Sequence, residues 1–121
     1  MGVFARLYGH CVEHWTLDEA TAALPEVRAK VQRLRQLVQA RPTANGQSAR
    51  LDDEIARILR ELGDDGIIVR DPERGLIDFP ARAPSGEVYL LCWLDGEDAI
   101  DWWHWPDAGF AGRTPLTDPP T

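Results

Sequence analysis

The residue best suited to chemistry in this 121-residue chain is His104, which is flanked by tryptophans and lies close to several carboxylates in the sequence. A histidine with two or three carboxylates can bind a divalent metal ion or act in general acid–base catalysis. Asp78, between the apolar Ile77 and Phe79, and Glu97 complete the candidate set. We expect His104, Asp78 and Glu97 to meet in a cleft on the open side of a sheet. The alternative is a half-buried histidine with one hydrogen bond, and carboxylates that are only solvated.

An arginine with glycines before it could contribute to the same site. The segment Gly109-Phe110-Ala111-Gly112-Arg113 combines flexible backbone with a fork-shaped cation that can hold a carboxylate or phosphate. Residues 61–121 contain thirteen acidic side chains, so an ion pair between Arg113 and one of them is the favoured interpretation. We expect Arg113 near the rim of the cleft.

A second candidate metal site lies near the start of the chain. His10-Cys11-Val12-Glu13-His14 matches H-x-x-E-H, a zinc-peptidase string that needs both histidines on one helical face. The string precedes the helix start predicted at Thr16, so that helix is not expected. Adventitious metal binding by His10, His14 and Cys11, or an arm without a role, fits better. No nucleophile triad, phosphate-binding glycine loop or dinucleotide fingerprint accompanies these candidates.

The first half of the chain predicts two helices. Thr16 and Glu19 form a capping box, which predicts a helix that starts there. Apolar residues then recur in a heptad pattern at Leu17, Ala20, Leu24, Val27, Val31, Leu34 and Val38. Pro25 predicts a kink near residues 22–24, or a short first helix followed by a new one.

A second helix is predicted from Ser48, as its cap, to Gly63, as the left-handed residue that ends it. Its apolar positions are Leu51, Ile55, Ile58 and Leu62, with Leu59 beside them. The short polar loop between the two patterns predicts an antiparallel helical hairpin over residues 15–63.

From Gly66 onward the sequence predicts an antiparallel sheet with short connections. The predicted strands are Ile67–Arg70, Leu76–Phe79 ended by Pro80, Glu87–Leu94 and Ile100–Trp105. Alternation places Ile100, Trp102 and His104 on one face and Asp101, Trp103 and Trp105 on the other. Aromatic residues on both faces indicate that both are covered, one by the helices and the other by the N-terminal arm, a partner subunit or a ligand.

The register of the last hairpin stays open at this point. If Cys92 pairs with His104, then Leu90, Leu94 and Trp102 share the face of His104. If Leu91 pairs with His104, that face instead carries Tyr89, Leu91, Trp93 and Trp102. A slip of one residue exchanges the whole environment of the histidine, and the turn sequence does not decide between the two.

Charge and composition narrow the function classes. The net charge is −7, and it is unevenly spread, because residues 61–121 carry thirteen acidic and only four basic side chains. Such an acidic half repels phosphate backbones, so we expect no nucleic-acid partner. No apolar run has the length of a membrane span or signal peptide, so we expect a cytoplasmic protein. Cys11 and Cys92 are then expected as free thiols, with Cys92 buried and inert.

Several ordered motifs resemble a bacterial family known as domain of unknown function 2203. They are Thr16-Leu17-Asp18-Glu19-Ala20, Leu24-Pro25-Glu26-Val27, Gly75-Leu76-Ile77-Asp78-Phe79-Pro80-Ala81, Glu87-Val88-Tyr89-Leu90-Leu91-Cys92-Trp93, Gly96-Glu97, Trp103-His104 and Gly109-Phe110-Ala111-Gly112-Arg113-Thr114-Pro115. The resemblance covers residues 15–116 and implies a small soluble protein with a helical hairpin and a C-terminal β segment. It implies no activity.

Together these features predict a single α+β domain, in which an N-terminal antiparallel helical hairpin packs on a small C-terminal antiparallel β-meander. Residues 1–14 are an arm, 66–113 the sheet and 114–121 an extended or disordered tail. We expect a homodimer, because the long apolar seam and the two-faced aromatic sheet exceed what one small domain usually covers. A non-catalytic assembly or interaction module without a cofactor is the favoured function. The alternative is a metal-binding protein or small metal-dependent hydrolase that uses His104 and nearby carboxylates.

Overall fold

In the computed structural model, which describes residues 14–41, 46 and 48–121, two helices are followed by a five-stranded antiparallel sheet. The elements are α1 (Leu17–Ala40), α2 (Ser48–Asp64), β1 (Ile68–Asp71), β2 (Leu76–Arg82), β3 (Val88–Leu94), β4 (Trp102–His104) and β5 (Thr114–Pro115), with a short 3₁₀ helix at Phe110–Gly112. This confirms the predicted α+β class and its N-terminal helical hairpin. Of the predicted arm and its H-x-x-E-H string, only His14 is among the described residues.

Helix α1 begins as its sequence predicts. The Thr16 hydroxyl accepts from the Glu19 amide at 3.1 Å, and the Glu19 carboxylate accepts from the Thr16 amide at 3.0 Å. The helix then runs through Pro25 without a break, so of the two alternatives the division into two helices is wrong. Leu24 and Val27, on either side of the proline, are both buried. Their packing stabilises the helix across the one backbone hydrogen bond that the ring removes.

The apolar seam of α1 is buried within the chain itself. Its core positions are Ala20, Leu24, Val27, Val31 and Leu34. At the ends the seam drifts, because Leu17 is 37% exposed and Leu37 is buried in preference to Val38. A helix of 3.6 residues per turn rotates relative to a strict seven-residue repeat, which explains the drift.

Helix α2 ends one residue later than predicted, and for a different reason. Gly63 lies inside the helix, whereas Gly66 has the positive φ of 80° that lets the chain turn into β1. Ile58 and Leu62 are the buried anchors of α2. No helix within the described residues is long and apolar enough to cross a membrane.

Strand β2 is longer than predicted, because Pro80 does not end it. The strand continues to Arg82 and pairs with β3 along its whole length. The Pro80 carbonyl accepts from the Trp15 amide at 2.6 Å, on the side away from β3. Since the N and O of one residue point to the same side of a strand, the missing proline N–H removes no hydrogen bond to β3.

Part of the C-terminal segment is extended, which is one of the two forms expected for the tail, and it pairs with the sheet. Residues 114–115 form β5 against β4, a strand that the sequence pattern did not predict. Beyond it, the indole of Trp103 donates to the Asp118 carbonyl at 2.9 Å, and the Ser85 amide donates to the Thr121 carbonyl at 3.1 Å. These bonds hold the tail against the sheet.

The sheet has one face toward the helices and one away from them. Leu90 pairs with His104 and Cys92 with Trp102, so neither predicted register is right. The observed register differs by two residues from the Cys92–His104 alternative, which keeps the same side chains on the face of His104. Ile100 was expected on that face, but it precedes β4 and joins the helix-side core. The helix-side strand residues include Ile77, Phe79, Ala81, Leu91 and Trp93.

Candidate functional site

On the face away from the helices, three side chains with metal-ligand chemistry lie together. Asp78 of β2 is the direct cross-strand partner of Cys92 of β3, and His104 enters from β4. One ligand atom from each residue lies within 4.8 Å of the other two, and all three residues are buried. This Asp78–Cys92–His104 group is called the buried triad below.

Both ring nitrogens of His104 lie within hydrogen-bond distance of an oxygen. Its Nδ1 lies 2.7 Å from the Trp105 carbonyl, and its Nε2 lies 3.1 Å from each Asp78 carboxylate oxygen. A carbonyl oxygen only accepts hydrogen bonds, so Nδ1 carries a proton and donates it. The Nε2 atom therefore faces the carboxylate with either a second proton or a lone pair.

Asp78 is fully buried, and its charge is compensated by more than the histidine. Arg70 extends from β1 and donates its Nε to Asp78 Oδ2 at 2.7 Å. Arg70 lies where the pairing of β1 shifts register, between Val69 and Asp71, and its hydrogen bond to Asp78 places it on this face. This bond uses one edge of the guanidinium, whose two terminal nitrogens have no hydrogen-bond partner in the described part of the chain.

Cys92 is a buried free thiol, as the sequence predicted. Burial raises the pKa of its thiol to about 12, and the negative charge of Asp78 and a hydrogen bond to that carboxylate add to the effect. The thiol is therefore unreactive at neutral pH unless a cation displaces its proton.

A cleft of about 150 Å³ opens beside the buried triad. Its lining comprises the triad together with Arg70, Leu76, Pro106, Gly109 and Phe110. The segment after β4 thus supplies one wall, which means that the chain itself covers part of this face. The sequence had left that cover open between the arm, a partner subunit and a ligand.

Glu97 and Arg113 pair with each other rather than join the triad. Arg113 Nη2 lies 2.8 Å from both Glu97 carboxylate oxygens, and the Leu94 amide also donates to Glu97. The Arg113 guanidinium also lies 4.9 Å from the Trp102 ring centre and 4.7 Å from that of Phe110. Arg113 therefore supports Phe110 in the cleft wall, and Glu97 holds Arg113.

The N-terminal candidate site is only partly visible. His14 is half-buried with its Nε2 3.4 Å from Arg82 Nη2, and His10 lies outside the described residues. Of the predicted site residues, the structure therefore brings together His104 and Asp78. Sequence reasoning missed Cys92 and Arg70 as neighbours of this pair. The signal that finds Cys92 is the strand register, since it is the cross-strand partner of Asp78, whereas Arg70 lies at the register shift of β1.

The fold and site define a small α+β protein in which a buried Asp–Cys–His group lies at the base of a narrow cleft. The chain belongs to the family described as uncharacterized conserved protein (DUF2203), whose family model matches residues 13–116. This confirms the resemblance seen in the sequence motifs. The comparisons with curated proteins and with solved structures found no match.

Proposed function

We propose that this protein binds a divalent transition-metal ion, with Zn²⁺ as the best fit, through Asp78, Cys92 and His104. The observation that carries the proposal is the approach of a carboxylate, a thiol and an imidazole to within 4.8 Å on one buried face. Imidazole, thiolate and carboxylate are the three side-chain ligands that zinc takes in proteins. A set with sulfur and nitrogen donors favours zinc over magnesium or calcium.

The hydrogen bonding of His104 supports the proposal. Metal-bound histidines usually donate their second ring N–H to a carbonyl or carboxylate, as Nδ1 does here to Trp105. That bond leaves Nε2 free to present its lone pair. Nε2 lies 3.1 Å from both Asp78 oxygens, so the imidazole and the carboxylate already face one another as two ligands of one ion would.

The distances support it as well. Ligands of tetrahedral zinc lie roughly 3.3–3.8 Å from one another, given metal–ligand bonds of about 2.0–2.3 Å. The His104–Asp78 pair is already at 3.1 Å, and the widest separation in the triad is within 4.8 Å. The thiol needs to close by at most about 1 Å to complete the set. Arg70 binds Oδ2, which leaves Oδ1 for the ion.

Three protein ligands leave a fourth zinc position, and the triad lines the cleft. A zinc site with three protein ligands and an accessible position can bind an exogenous molecule. The proposal is confined to binding, because Glu97, the second carboxylate expected at the site, is held by Arg113 and offers no free base. The proposal includes a cytoplasmic location, where Cys92 stays reduced.

Metal analysis of protein purified without a histidine tag tests this proposal. The wild type is expected to bind one Zn²⁺ per chain, and Cys92→Ser is expected to weaken binding by more than the roughly 10–100-fold that loss of an outer-shell partner causes. The matched control is His10→Ala/Cys11→Ser/His14→Ala, which removes the N-terminal donors and is expected to retain the ion. Loss of zinc in this control but not in Cys92→Ser would contradict the proposal.

A further inference from the structure

The basic residues of the acidic half are concentrated at the cleft. Residues 61–121 contain four arginines and no lysine against thirteen acidic side chains. Arg70 lines the cleft, and the guanidinium carbons of Arg74 and Arg113 lie 5.4 Å and 4.7 Å from the ring centre of Phe110, which also lines it. Only Arg82, at the far end of β2, is elsewhere. A local concentration of cations in a strongly acidic segment favours an anionic ligand.

Two of these arginines have guanidinium nitrogens without a hydrogen-bond partner among the described residues. Arg113 is paired with Glu97 and Arg70 with Asp78, but Arg70 uses only its Nε, and Arg74 forms no salt bridge with the described residues. The terminal nitrogens of an arginine form a planar fork that binds a carboxylate through two parallel hydrogen bonds. Arg70 therefore offers a ready anion-binding group in the cleft wall, next to the proposed metal.

The size and lining of the cleft limit the ligand. Its volume of about 150 Å³ is well below the roughly 300 Å³ at which pockets for drug-sized ligands begin, so a nucleotide or a peptide does not fit. Leu76, Pro106 and Phe110 make much of the wall apolar. A short organic acid matches this lining better than inorganic phosphate, because phosphate has no apolar part to bury.

We infer that the cleft binds a small organic carboxylate, with the carboxylate on the free fork of Arg70 and the open metal position, and with Arg74 at the mouth. This inference rests on the proposed metal site, since the ion supplies the second contact. The apolar part of the acid packs against Phe110 and Leu76. No chemical step is implied.

Calorimetric titration of the zinc-loaded protein with lactate, at low ionic strength, tests the inference. Lactamide, which has nearly the same shape but no charge, is the matched ligand control, and inorganic phosphate is the competing anion. We expect saturable lactate binding, at least about tenfold weaker binding of lactamide, and weaker binding of phosphate. Equal binding of lactate and lactamide, or tighter binding of phosphate, would overturn the assignment.

Two variants locate the binding. Arg70→Lys keeps a cation beside Asp78 but removes the fork, and it is expected to weaken lactate binding about tenfold or more. Arg74→Gln, which does not touch Asp78, is expected to weaken it by a smaller factor, whereas Arg82→Lys should leave it unchanged. Unaltered lactate affinity in both Arg70→Lys and Arg74→Gln would overturn the inference.

Metal content, measured on each protein before lactate is added, separates the two proposals. A wild type that binds zinc but not lactate would contradict only the carboxylate inference. A wild type that binds no zinc would contradict the metal site itself.

Discussion

Asp78 and Cys92 are direct cross-strand partners in β2 and β3, and burial together with the negative charge of the carboxylate raises the pKa of the thiol. Both side chains are buried on the sheet face away from the helices, where a polar group needs a partner. Asp78 meets this need with Arg70, which donates to Oδ2, and with the His104 ring, whose Nε2 lies 3.1 Å from both carboxylate oxygens. The same convergence is what makes the triad a candidate metal site.

The raised pKa of Cys92 makes stability depend on alkaline pH. Its folded-state pKa of about 12 lies above the ordinary value of 9.0, so the folded protein retains the proton over this interval while the unfolded chain releases it. For metal-free protein, the free energy of unfolding is expected to fall between these pH values by up to about 1.4 kcal/mol per unit relative to Cys92→Ser. Urea unfolding at several pH values measures this fall. If the free energies of unfolding of the wild type and of Cys92→Ser followed parallel pH profiles, the raised pKa of Cys92 would be contradicted.

The charge of Asp78 is expected to be important for stability. Removing one member of a buried charged network costs about 3–5 kcal/mol, because the remaining groups lose their compensation. Asp78→Asn is therefore expected to reduce the free energy of unfolding by an amount in this range. Asp52→Asn is the matched control, since Asp52 pairs with Arg41 at the surface and such pairs contribute about 1 kcal/mol or less. Similar losses in both variants would argue against the buried network.

The heptad seam predicts which residues of α1 contribute most to the free energy of unfolding. Leu34 is 1% exposed, so Leu34→Ala is expected to cost about 2–5 kcal/mol in chemical denaturation. The control is Gln39→Ala, at an exposed position of the same helix, which is expected to reduce the free energy of unfolding by less than about 0.5 kcal/mol. Equal losses would mean that the seam is not the buried face.

Arg35 illustrates what the helical pattern could not predict. Its position flanks the seam on the solvent side, which by itself predicts a loss under about 0.5 kcal/mol on replacement by alanine. In the structure Arg35 donates to Asp95 at 2.8 Å and to the Glu73 carbonyl at 2.9 Å, so it ties α1 to two turns of the sheet. With these contacts, Arg35→Ala is expected to reduce the free energy of unfolding by about 1–3 kcal/mol in the same denaturation experiment. A loss no greater than that of Gln39→Ala would contradict this tie.

The homodimer expected from the sequence remains a prediction. The α1 seam that motivated it packs inside one chain, and Pro106, Gly109 and Phe110 cover part of the second sheet face. Light scattering at high micromolar concentration decides the point, because a dimer has twice the 13.6 kDa mass of the chain. A particle of 13.6 kDa would contradict the prediction.

The sequence was most informative where a pattern is local. The capping box at Thr16, the seam of α1 and the order of the strands all follow from spacing along the chain. The site was only half predictable, because Asp78 and His104 were identified by residue type. Cys92 becomes a neighbour only through the sheet register, and Arg70 only through the register shift in β1. A turn sequence does not fix that register. The ion pair between Glu97 and Arg113 was not predictable either, because it depends on how the chain folds back after β4.

The most direct test of the central claim is the zinc X-ray absorption spectrum of the Cys11→Ser variant. The chain has two cysteines, so in this variant any sulfur ligand must be Cys92. We predict one sulfur at about 2.3 Å and nitrogen or oxygen ligands at about 2.0–2.2 Å. A zinc shell without sulfur, or a protein that takes up no zinc, would contradict a metal site at Asp78, Cys92 and His104.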